Sequence, residues 1–589
     1  MQAHEWYRIQ SYISAIYHAE MAYRARKRGY ELEHGRNFST CIKGYTEEYL
    51  RAVSARTEEI EREKAGKGLI GAEADERVNK RLREAKQWWD QQALQIEHRC
   101  EAEQYGNYPD RVVAAARQRL AHEISENQRW RMAQAAVDYA KQRLYDVQAV
   151  VDQYELTRDA LRFGLGHLRL ADIERAFEHR LAQQEKEFVR VGHYRENAPG
   201  ARYTTEEMRR REIDTIDLVR KRQRSSEPIA PHLTRDQFRA EYKQRLSNGR
   251  KIVLNNAQMW MAYNVLTTRD QYMIVRGAAG VGKSAAMEPV AEMARRVSGY
   301  EVHGIAPTGV AANNLREIGI RAETIQSHLL RGVAPDQAKR LYILDEGSLV
   351  GTRQFHEFSK TVRPQDRVVI AYDPRQHQSV EAGRIVEELE QAGVTTFRLE
   401  KIVRQRNAPE LLAVVERFAE GQIREGLEML DDQNRLWEVP DRRKRFAAMA
   451  GYYAEHPAGT LIVSPDNRSI QELNSAVRQA LRERNLLGED CYEARVLIAL
   501  RDVRPADRKC AATYEPGNVI RWGKAVSRLG VTSGEYSEVK SVDPESNMVT
   551  ILVEGPKGQR EVTYDPRHAW GVEIFETQKR RFALGDRVR

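Results

Sequence analysis

The spacing of apolar residues changes along this chain and divides it into regions. Residues 1 to about 105 and about 106 to 245 carry apolar side chains at helical spacing between charged faces, which predicts largely helical structure. Residues 246–400 contain short runs of consecutive apolar residues, typical of buried parallel strands. About residues 490–580, apolar and polar positions alternate between Pro-Gly, Asp-Pro and Gly-Pro pairs, which predicts short strands forming a small barrel.

The apolar runs at Tyr272–Val275, Leu341–Leu344 and Arg367–Ala371 predict the central strands of an α/β domain, and a helix is predicted from Ala285. We therefore expect a parallel sheet with helices on both faces. The segment Ser225–Gln237 has the proline and serine content of a linker into this domain.

A glycine-rich segment, GAAGVGKS, lies between the first strand and the predicted helix. In this setting Gly277, Gly280 and Gly282 let backbone N–H groups turn inward around a triphosphate. Lys283 can reach the β- and γ-phosphates, and the Ser284 hydroxyl can ligate Mg²⁺. A glycine-rich turn can match this pattern by chance, but the flanking strand and helix favour a phosphate-binding loop.

Two adjacent carboxylates, Asp345 and Glu346, follow the second strand, about 60 residues after the glycine-rich segment. Most such pairs are solvated surface charges, but the carboxyl end of a buried strand is where an open α/β sheet binds its ligand. We expect Asp345 to hold Mg²⁺ and Glu346 to orient and deprotonate the attacking water.

With further segments, the chain resembles a superfamily 1 helicase core of the RecD-like kind, built of RecA-like lobes. These segments are GIAPTGVAANNL, AETIQSHLL, YDPRQHQ and LEKIVRQR, together with LNNAQMWMAYNVL ahead of the phosphate-binding loop. One position departs from the helicase pattern, because Tyr372 stands where glycine is usual.

The resemblance implies ATP as the nucleotide, Mg²⁺ as its metal and single-stranded DNA as the partner. It implies that Gln258 recognises adenine and that Gln376 and Arg404 contact the γ-phosphate. It also implies that Thr308 and Thr324 contact the DNA backbone.

A narrower resemblance is carried by DPRQHQSVEAG, which is similar to the helicase half of MobF-type conjugative relaxases, the TrwC and TraI kind. Residues 11–38 and 54–61 resemble the end of the relaxase domain of that family, and residues 203–216 resemble its connecting region. The family's nicking tyrosines and three-histidine metal site precede the matching segment, so we expect no nicking activity from this chain. Its late helicase motifs would follow residue 589.

The resemblance implies four domains. Residues 1–105 would be a relaxase remnant and residues 106–245 a helical connecting region and linker. Residues 246–400 would form the first RecA-like lobe. Residues 401–589 would form an incomplete second lobe, opening at Leu461 and containing the β-rich insertion.

Bulk properties fit this picture without establishing it. The formal net charge of +9 among 31% charged residues is a modest basic excess that favours contact with phosphate backbones. Four cysteines without C-x-x-C spacing fit a reducing compartment. No signal peptide and no run of 18 apolar residues is present, so we expect a cytoplasmic protein without membrane insertion.

The sequence therefore predicts an ATP-dependent helicase region acting on single-stranded plasmid DNA during conjugative transfer. Two alternatives stay open. The chain could be a non-catalytic ATP- or DNA-binding scaffold, or one half of a split protein that acts with other conjugation proteins or a polypeptide supplying the late motifs. It could also be a stand-alone repair helicase of the RecD kind.

Overall fold

The computed structural model describes residues 3–34, 40–46, 48–50, 90–119, 124–183, 186–192, 200–242, 244–247, 250–278, 280–332, 336–403, 408–500, 503–554 and 558–587. The chain divides into two units. The first contains Met1–Arg143, Thr157–Glu174 and Trp437–Arg589, and the second contains Leu144–Leu156 and Arg175–Leu436.

Helices predominate before the parallel sheet and again after it. The α-helices are α1 (Ala3–Lys27), α2 (Gln91–Gln104), α3 (Pro109–Gln118), α4 (Glu126–Tyr145), α5 (Gln153–Phe163), α6 (Leu170–Ala182), α7 (Glu206–Lys221), α8 (Arg235–Tyr242), α9 (Asn256–Thr267), α10 (Lys283–Ser298), α11 (Gly309–Glu317), α12 (Ile325–Arg331), α13 (Thr352–Thr361), α14 (Ile385–Gln391), α15 (Pro409–Ala419), α16 (Ile423–Asp432), α17 (Arg442–Glu455) and α18 (Asn467–Glu483).

The strands belong to one parallel sheet and to several antiparallel sheets. They are β1 (Leu32–His34), β2 (Thr40–Ile42), β3 (Val151–Asp152), β4 (Phe188–Arg190), β5 (Arg202–Thr205), β6 (Gln244–Ser247), β7 (Arg250–Val253), β8 (Tyr272–Gly277), β9 (Glu301–Ala306), β10 (Arg321–Thr324), β11 (Arg340–Leu344), β12 (Arg367–Tyr372), β13 (Thr396–Leu399), β14 (Asp490–Ala499), β15 (Val519–Trp522), β16 (Tyr536–Asp543), β17 (Met548–Val553), β18 (Arg560–Tyr564) and β19 (Val572–Ala583).

The second unit contains a six-stranded parallel sheet in the order β10-β9-β11-β12-β8-β13. Its central strands are continuous apolar runs because both of their faces are buried. In β11, Ile343 packs in one hydrophobic core with Met287 of α10, whereas Tyr342 packs in another with Phe355 of α13. Helices therefore cover both faces of the sheet, which confirms the predicted α/β arrangement.

The first unit contains a six-stranded antiparallel sheet in the order β14-β19-β15-β16-β17-β18, called here the carboxyl-terminal β-domain. Trp522 is fully buried in its core, and the indole N–H donates to the Ser537 hydroxyl at 3.0 Å. The β-rich region predicted from turn residues and alternation is thus confirmed.

Buried charges join this β-domain to the helices of the same unit. Arg143 of α4 lies between two carboxylates, 2.6 Å from Asp159 of α5 and 2.8 Å from Asp507. The Tyr139 hydroxyl donates to Asp507 at 2.6 Å. Residues more than 360 positions apart are therefore linked in one network.

The region expected to be helical with a linker differs in two ways. It also contains a three-stranded antiparallel sheet in the order β3-β5-β4, whose strands are too short for period-two alternation to reveal. Residues 225–237 are not an extended linker, because Ile229 and Ala230 are buried in the hydrophobic core beside the parallel sheet. The adjacent apolar residues Ile229 and Ala230 are the sequence feature that indicates burial of this segment, and the linker prediction overlooked them.

Of the strand and helix expected to open the second RecA-like lobe, the structure forms the helix but not the strand. Helix α18 forms where it was predicted, but residues 461–464 are coil and do not form the opening strand. Leu461 and Val463 are 83% and 76% exposed, so the apolar run is not buried. Across the described residues, the parallel strands all belong to the sheet β8–β13.

Two predictions concern residues outside the described ranges, namely the relaxase-like segment 54–61 and the γ-phosphate contact of Arg404. Within the described ranges, every helix is too short or too polar to cross a lipid bilayer.

Candidate active site

The loop between β8 and α10 forms a turn that requires glycine. Gly280 and Gly282 have positive φ angles of 83° and 77°. A Cβ atom at Gly277 would lie 2.7 Å from the Val281 side chain and 2.9 Å from the Leu399 carbonyl oxygen. Gly282 precedes the first residue of α10 and has no side chain to cap it, so the N–H groups of that helix end can face an anion.

Lys283 is the first residue of α10, and its ammonium group points back into the loop. Nζ donates to the carbonyl oxygen of Gly277 at 2.6 Å and to that of Ala278 at 3.3 Å. Ser284 follows it on the first turn of the helix and is half-buried. The predicted phosphate and metal ligands therefore lie together at the carboxyl end of β8.

The acidic pair lies at the carboxyl end of β11, as predicted. Asp345 donates its backbone N–H to Ile305 at 2.9 Å, and its side chain accepts from the Glu346 N–H at 2.9 Å. Burial raises the pKa of both carboxyls, while the positive charge of Lys283 opposes this in both cases. The charge of Asp345 raises the pKa of Glu346 further. Lys283 follows β8 and the acidic pair follows β11, and both strands belong to one parallel sheet, so the lysine and both carboxylates lie at the same edge of that sheet.

Glu346 has a φ of 52°, in the left-handed region that side-chain-bearing residues seldom adopt. Such backbone strain is concentrated at functional sites, where the surrounding structure maintains it.

Gln376 lies beside the segment that follows the acidic pair. It lines a cleft with Gly347 and Ser348, and its backbone N–H donates to the Asp373 carbonyl oxygen at 3.3 Å. Asp373 is buried and accepts from the Arg375 N–H at 3.0 Å. Gln376 therefore lies beside the residues that immediately follow the acidic pair, and its contact with the γ-phosphate stays a prediction.

Tyr372, which replaces the usual glycine, is accommodated at the end of β12. Its ring is buried, and its hydroxyl group donates to the Glu390 carboxylate. Glu390 also pairs with Arg276 at 2.8 Å and with Arg398 at 3.1 Å. The sequence reasoning missed this ionic cluster, although Arg276 immediately precedes the phosphate-binding loop.

Gln258 is 2% exposed on the first turn of α9. Its side-chain amide donates to the carbonyl oxygens of Val281 and Gly282 and accepts from the Asn255 N–H. The structure thus places Gln258 against the phosphate-binding loop.

Thr308 and Thr324 occupy equivalent positions at the ends of neighbouring strands. Each caps the following helix: the Thr308 hydroxyl accepts from the Ala311 N–H, and the Thr324 hydroxyl accepts from the Ser327 N–H, both at 3.2 Å. Because β9 and β10 are parallel neighbours, both helix ends lie at the edge of the sheet that carries the phosphate-binding loop.

A glycine-rich loop opening a helix after a buried strand, facing an acidic pair on another strand, defines a P-loop nucleotide-binding domain. Comparison with protein families agrees with this assignment. Residues 253–441 match the AAA domain family, and residues 1–105 match the TrwC relaxase family. The resemblance to conjugative relaxase-helicases is thus confirmed at both of its parts.

The matches to individual relatives cover only part of each relative. The conjugal transfer protein TraA of Agrobacterium fabrum is 29% identical over an alignment 335 positions long, which covers 54% of this chain and 28% of TraA. The multifunctional conjugation protein TraI of Escherichia coli is 24% identical over an alignment 383 positions long, which covers 55% of this chain and 21% of TraI. The chain therefore spans about a quarter of the length of these curated relatives.

Among solved structures, a Pif1 helicase from a study of unwinding at forked double-stranded DNA aligns with 56% of this chain and 80% of its own. The sequence identity is 17% and the TM-score 0.30.

Proposed function

We propose that this chain binds ATP and hydrolyses it to drive movement along single-stranded DNA, as the helicase region of a conjugative relaxase. The observation that carries the proposal is the position of Lys283, Asp345 and Glu346 at one edge of the parallel sheet. Phosphoryl transfer depends mainly on positioning and charge stabilisation, which this group of side chains provides.

Lys283 would exchange its two loop carbonyl partners for the β- and γ-phosphates, whose charge makes them stronger acceptors. Asp345 and Ser284 fit Mg²⁺ because they offer the oxygen ligands that this ion prefers. Burial disfavours the charged form of the Asp345 carboxylate, and a neighbouring cation would stabilise it. When bound, Mg²⁺ would neutralise charge on the phosphates.

Glu346 is the proposed general base that orients and deprotonates the attacking water. Burial and the neighbouring Asp345 raise its pKa, and a base whose pKa lies closer to neutrality is better matched to accept a proton. Gln376 beside the acidic pair, and Arg404, are proposed to contact the γ-phosphate on the evidence of the family resemblance.

The proposed DNA contacts are Thr308 and Thr324. Both are helix N-caps at the edge of the sheet that carries the nucleotide site, so backbone N–H groups beside them can meet phosphates. We propose the plasmid transfer strand as the DNA, because the match of residues 1–105 to the TrwC relaxase family argues against a stand-alone repair helicase.

The test is ATP hydrolysis by the purified chain with and without single-stranded DNA, with nucleotide affinity measured in parallel. Lys283→Ala is expected to lower turnover at least about 100-fold, because it removes the cation on the phosphates. Glu346→Gln should lower turnover by about 10² to 10⁴-fold while ATP affinity stays within about threefold.

The matched control is Lys360→Ala, which removes a lysine from an exposed ion pair on α13 and should leave turnover unchanged. DNA-stimulated turnover that is abolished in both active-site variants supports the proposal. ATP binding without turnover in the wild-type chain would favour the scaffold or split-protein alternative, and turnover retained in Glu346→Gln would contradict the role of that carboxylate.

A further inference from the structure

The carboxylate of Glu390 on α14 contacts side chains from three neighbouring strands of the parallel sheet. Its Oε1 accepts from Arg276 of β8 at 2.8 Å and from Arg398 of β13 at 3.1 Å. Its Oε2 accepts from the hydroxyl group of Tyr372, the last residue of β12. In the strand register Arg276 is the partner of both Tyr372 and Arg398. The three side chains therefore form a row on one face of the sheet, and the carboxylate bridges that row.

Each strand residue in this row stands one position before a segment of the candidate active site. Arg276 precedes the phosphate-binding loop, Tyr372 precedes residues 373–378, and Arg398 precedes residues 399–403. The second of these segments contains the glutamine that is proposed to contact the γ-phosphate. A single carboxylate thus holds the three strand ends from which these segments extend.

The segment after β13 also contacts the phosphate-binding loop directly. The backbone N–H of Val403 donates to the carbonyl oxygen of Gly280 at 2.8 Å. Arg404, which is proposed to contact the γ-phosphate, is the next residue in the sequence. The position of the β13 end therefore affects the loop as well as the path of the chain towards Arg404.

The contacts of Glu390 differ in burial, which determines how much each can contribute. The side chain of Glu390 is 10% exposed and Tyr372 is 2% exposed, and loss of a partner leaves such buried polar groups unsatisfied. The side chains of Arg276 and Arg398 are 39% and 63% exposed, and exposed ion pairs contribute little. The bond between the buried phenol and the carboxylate is therefore the main contact of the row.

Tyr372 gives the carboxylate a buried partner that the usual glycine does not offer. Glycine has no hydroxyl group, so with glycine at this position Glu390 would keep only Arg276 and Arg398. The buried contact is thus tied to the one position at which this chain departs from the helicase pattern.

We propose that Glu390 is a positioning residue for ATP hydrolysis, acting through the carboxyl ends of β8, β12 and β13. The transition state of phosphoryl transfer is contacted from several segments at once, and a displacement of about 1 Å in one of them can lower the rate about 100-fold. Ground-state binding of the triphosphate depends mainly on the phosphate-binding loop itself. Glu390 consequently affects turnover more than affinity.

This inference rests on the proposed ATP hydrolysis, and its test separates turnover from affinity. Glu390→Ala removes the carboxylate, and Tyr372→Phe removes only the hydroxyl group. For both variants kcat is measured with saturating ATP and single-stranded DNA, and the Kd for ATP is measured with Mg²⁺ present. Glu390→Ala is expected to lower kcat about 10- to 100-fold and Tyr372→Phe about tenfold. The Kd for ATP should stay within about threefold of wild type in both.

The two substitutions remove the same contact, so their effects should not multiply. The double variant Tyr372→Phe/Glu390→Ala is expected to match the kcat of Glu390→Ala within about twofold. Arg398→Ala removes an exposed partner and should lower kcat less than about threefold. Effects that multiply, a loss in Arg398→Ala as large as in Glu390→Ala, or equal losses in kcat and in ATP affinity would each overturn the proposal.

The matched control is Asp366→Asn, which alters a buried carboxylate at the opposite edge of the same sheet. Asp366 is fully buried and accepts from the backbone N–H of Arg340, the first residue of β11, at 3.0 Å and from Arg363 Nε at 3.1 Å. Asp366→Asn should lower the melting temperature and leave kcat unchanged. An equal loss of kcat in this control would overturn the specific role of Glu390, because any weakening of the sheet would then lower turnover.

Hydrogen exchange without nucleotide separates this inference from the proposed function. In Glu390→Ala the backbone amides of residues 373–378 and 399–403 should exchange faster than in the wild-type chain, and in Asp366→Asn they should not. Unchanged exchange in Glu390→Ala would overturn the positioning role even if the chain hydrolyses ATP. Faster exchange in a chain that does not hydrolyse ATP would support the control of these segments by Glu390 and refute the proposed function alone.

Discussion

Replacement of Asp507 by alanine is expected to loosen the carboxyl-terminal β-domain from helix α4. The Asp507 carboxylate accepts three hydrogen bonds, from the Tyr139 hydroxyl at 2.6 Å, from Arg143 Nε at 2.8 Å and from the Arg504 N–H at 2.9 Å. Its side chain is 10% exposed and that of Arg143 is 19% exposed. The alanine variant would leave a buried guanidinium with one carboxylate fewer and a buried phenol without an acceptor.

The expected cost follows from this geometry. Removing one partner of a buried ion pair costs about 3–5 kcal/mol. The lower end applies here, because Arg143 keeps its contact with Asp159 at 2.6 Å. A loss of about 3 kcal/mol corresponds to a roughly 100-fold higher population of the locally opened state, since each 1.4 kcal/mol is about a factor of ten.

Hydrogen exchange measured by mass spectrometry on the whole chain tests this magnitude. Peptides from α4 and from residues 503–514 should exchange about 100-fold faster in Asp507→Ala. Asp507→Asn, which keeps an acceptor oxygen but removes the charge, should give an intermediate value. The matched control is Glu561→Ala, because Glu561 and Lys540 form an ion pair with both side chains at least half exposed, and such pairs contribute about 1 kcal/mol or less. Exchange within about fivefold of wild type in Asp507→Ala would refute the reasoning.

Two further perturbations test single features of the second unit. Burial, and then the charge of Glu388, raises the pKa of Glu212 to about 7 from 4.5, so its contribution to stability is present below pH 4.5 and is lost as the pH rises to about 7. Glu212→Gln should therefore raise the melting temperature at pH 8 but not at pH 4, and an equal effect at both pH values would contradict this. At Gly383, with a φ of 96°, a Cβ would lie 1.8 Å from Thr352 Oγ1, whereas at Gly393, with a φ of 87°, it would meet nothing within 4 Å. Gly383→Ala should lower the free energy of unfolding in urea by about 1–3 kcal/mol more than Gly393→Ala does. Equal decreases in the two variants would show that the positive φ, and not the clash with Thr352, determines the loss of stability.

The positions of the glycine-rich loop and of the acidic pair in the fold were predictable because their signals are local. The apolar run Leu341–Leu344 and the acidic pair after it lie in one short segment, and β11 forms at the predicted position. Parallel strands bring their carboxyl ends to one edge, so topology alone places this pair near the glycine-rich loop. Each inference needed only nearby residues and one general property of sheets.

The conformation of residues 461–464 could not be predicted from local signals in this way. An apolar run shows that a segment can form a strand, but a strand also needs neighbours for its N–H and C=O groups. In the structure Leu461 is 83% exposed and the run is coil, because long-range pairing decides the outcome. The three-stranded sheet of the connecting region was missed for a related reason, since β3 has only two residues.

Gln258 shows a second limit of prediction from sequence, because the hydrogen-bond partners of a buried side chain cannot be derived from a motif. A motif identifies Gln258 as a glutamine near a nucleotide, but the partner of its amide depends on which carbonyl oxygens come within reach after folding. Here those oxygens belong to Val281 and Gly282, 23 and 24 positions away. Because a buried amide contacts whichever groups complete its hydrogen bonds, the packing of α9 on the loop, rather than the motif, determines these partners of Gln258.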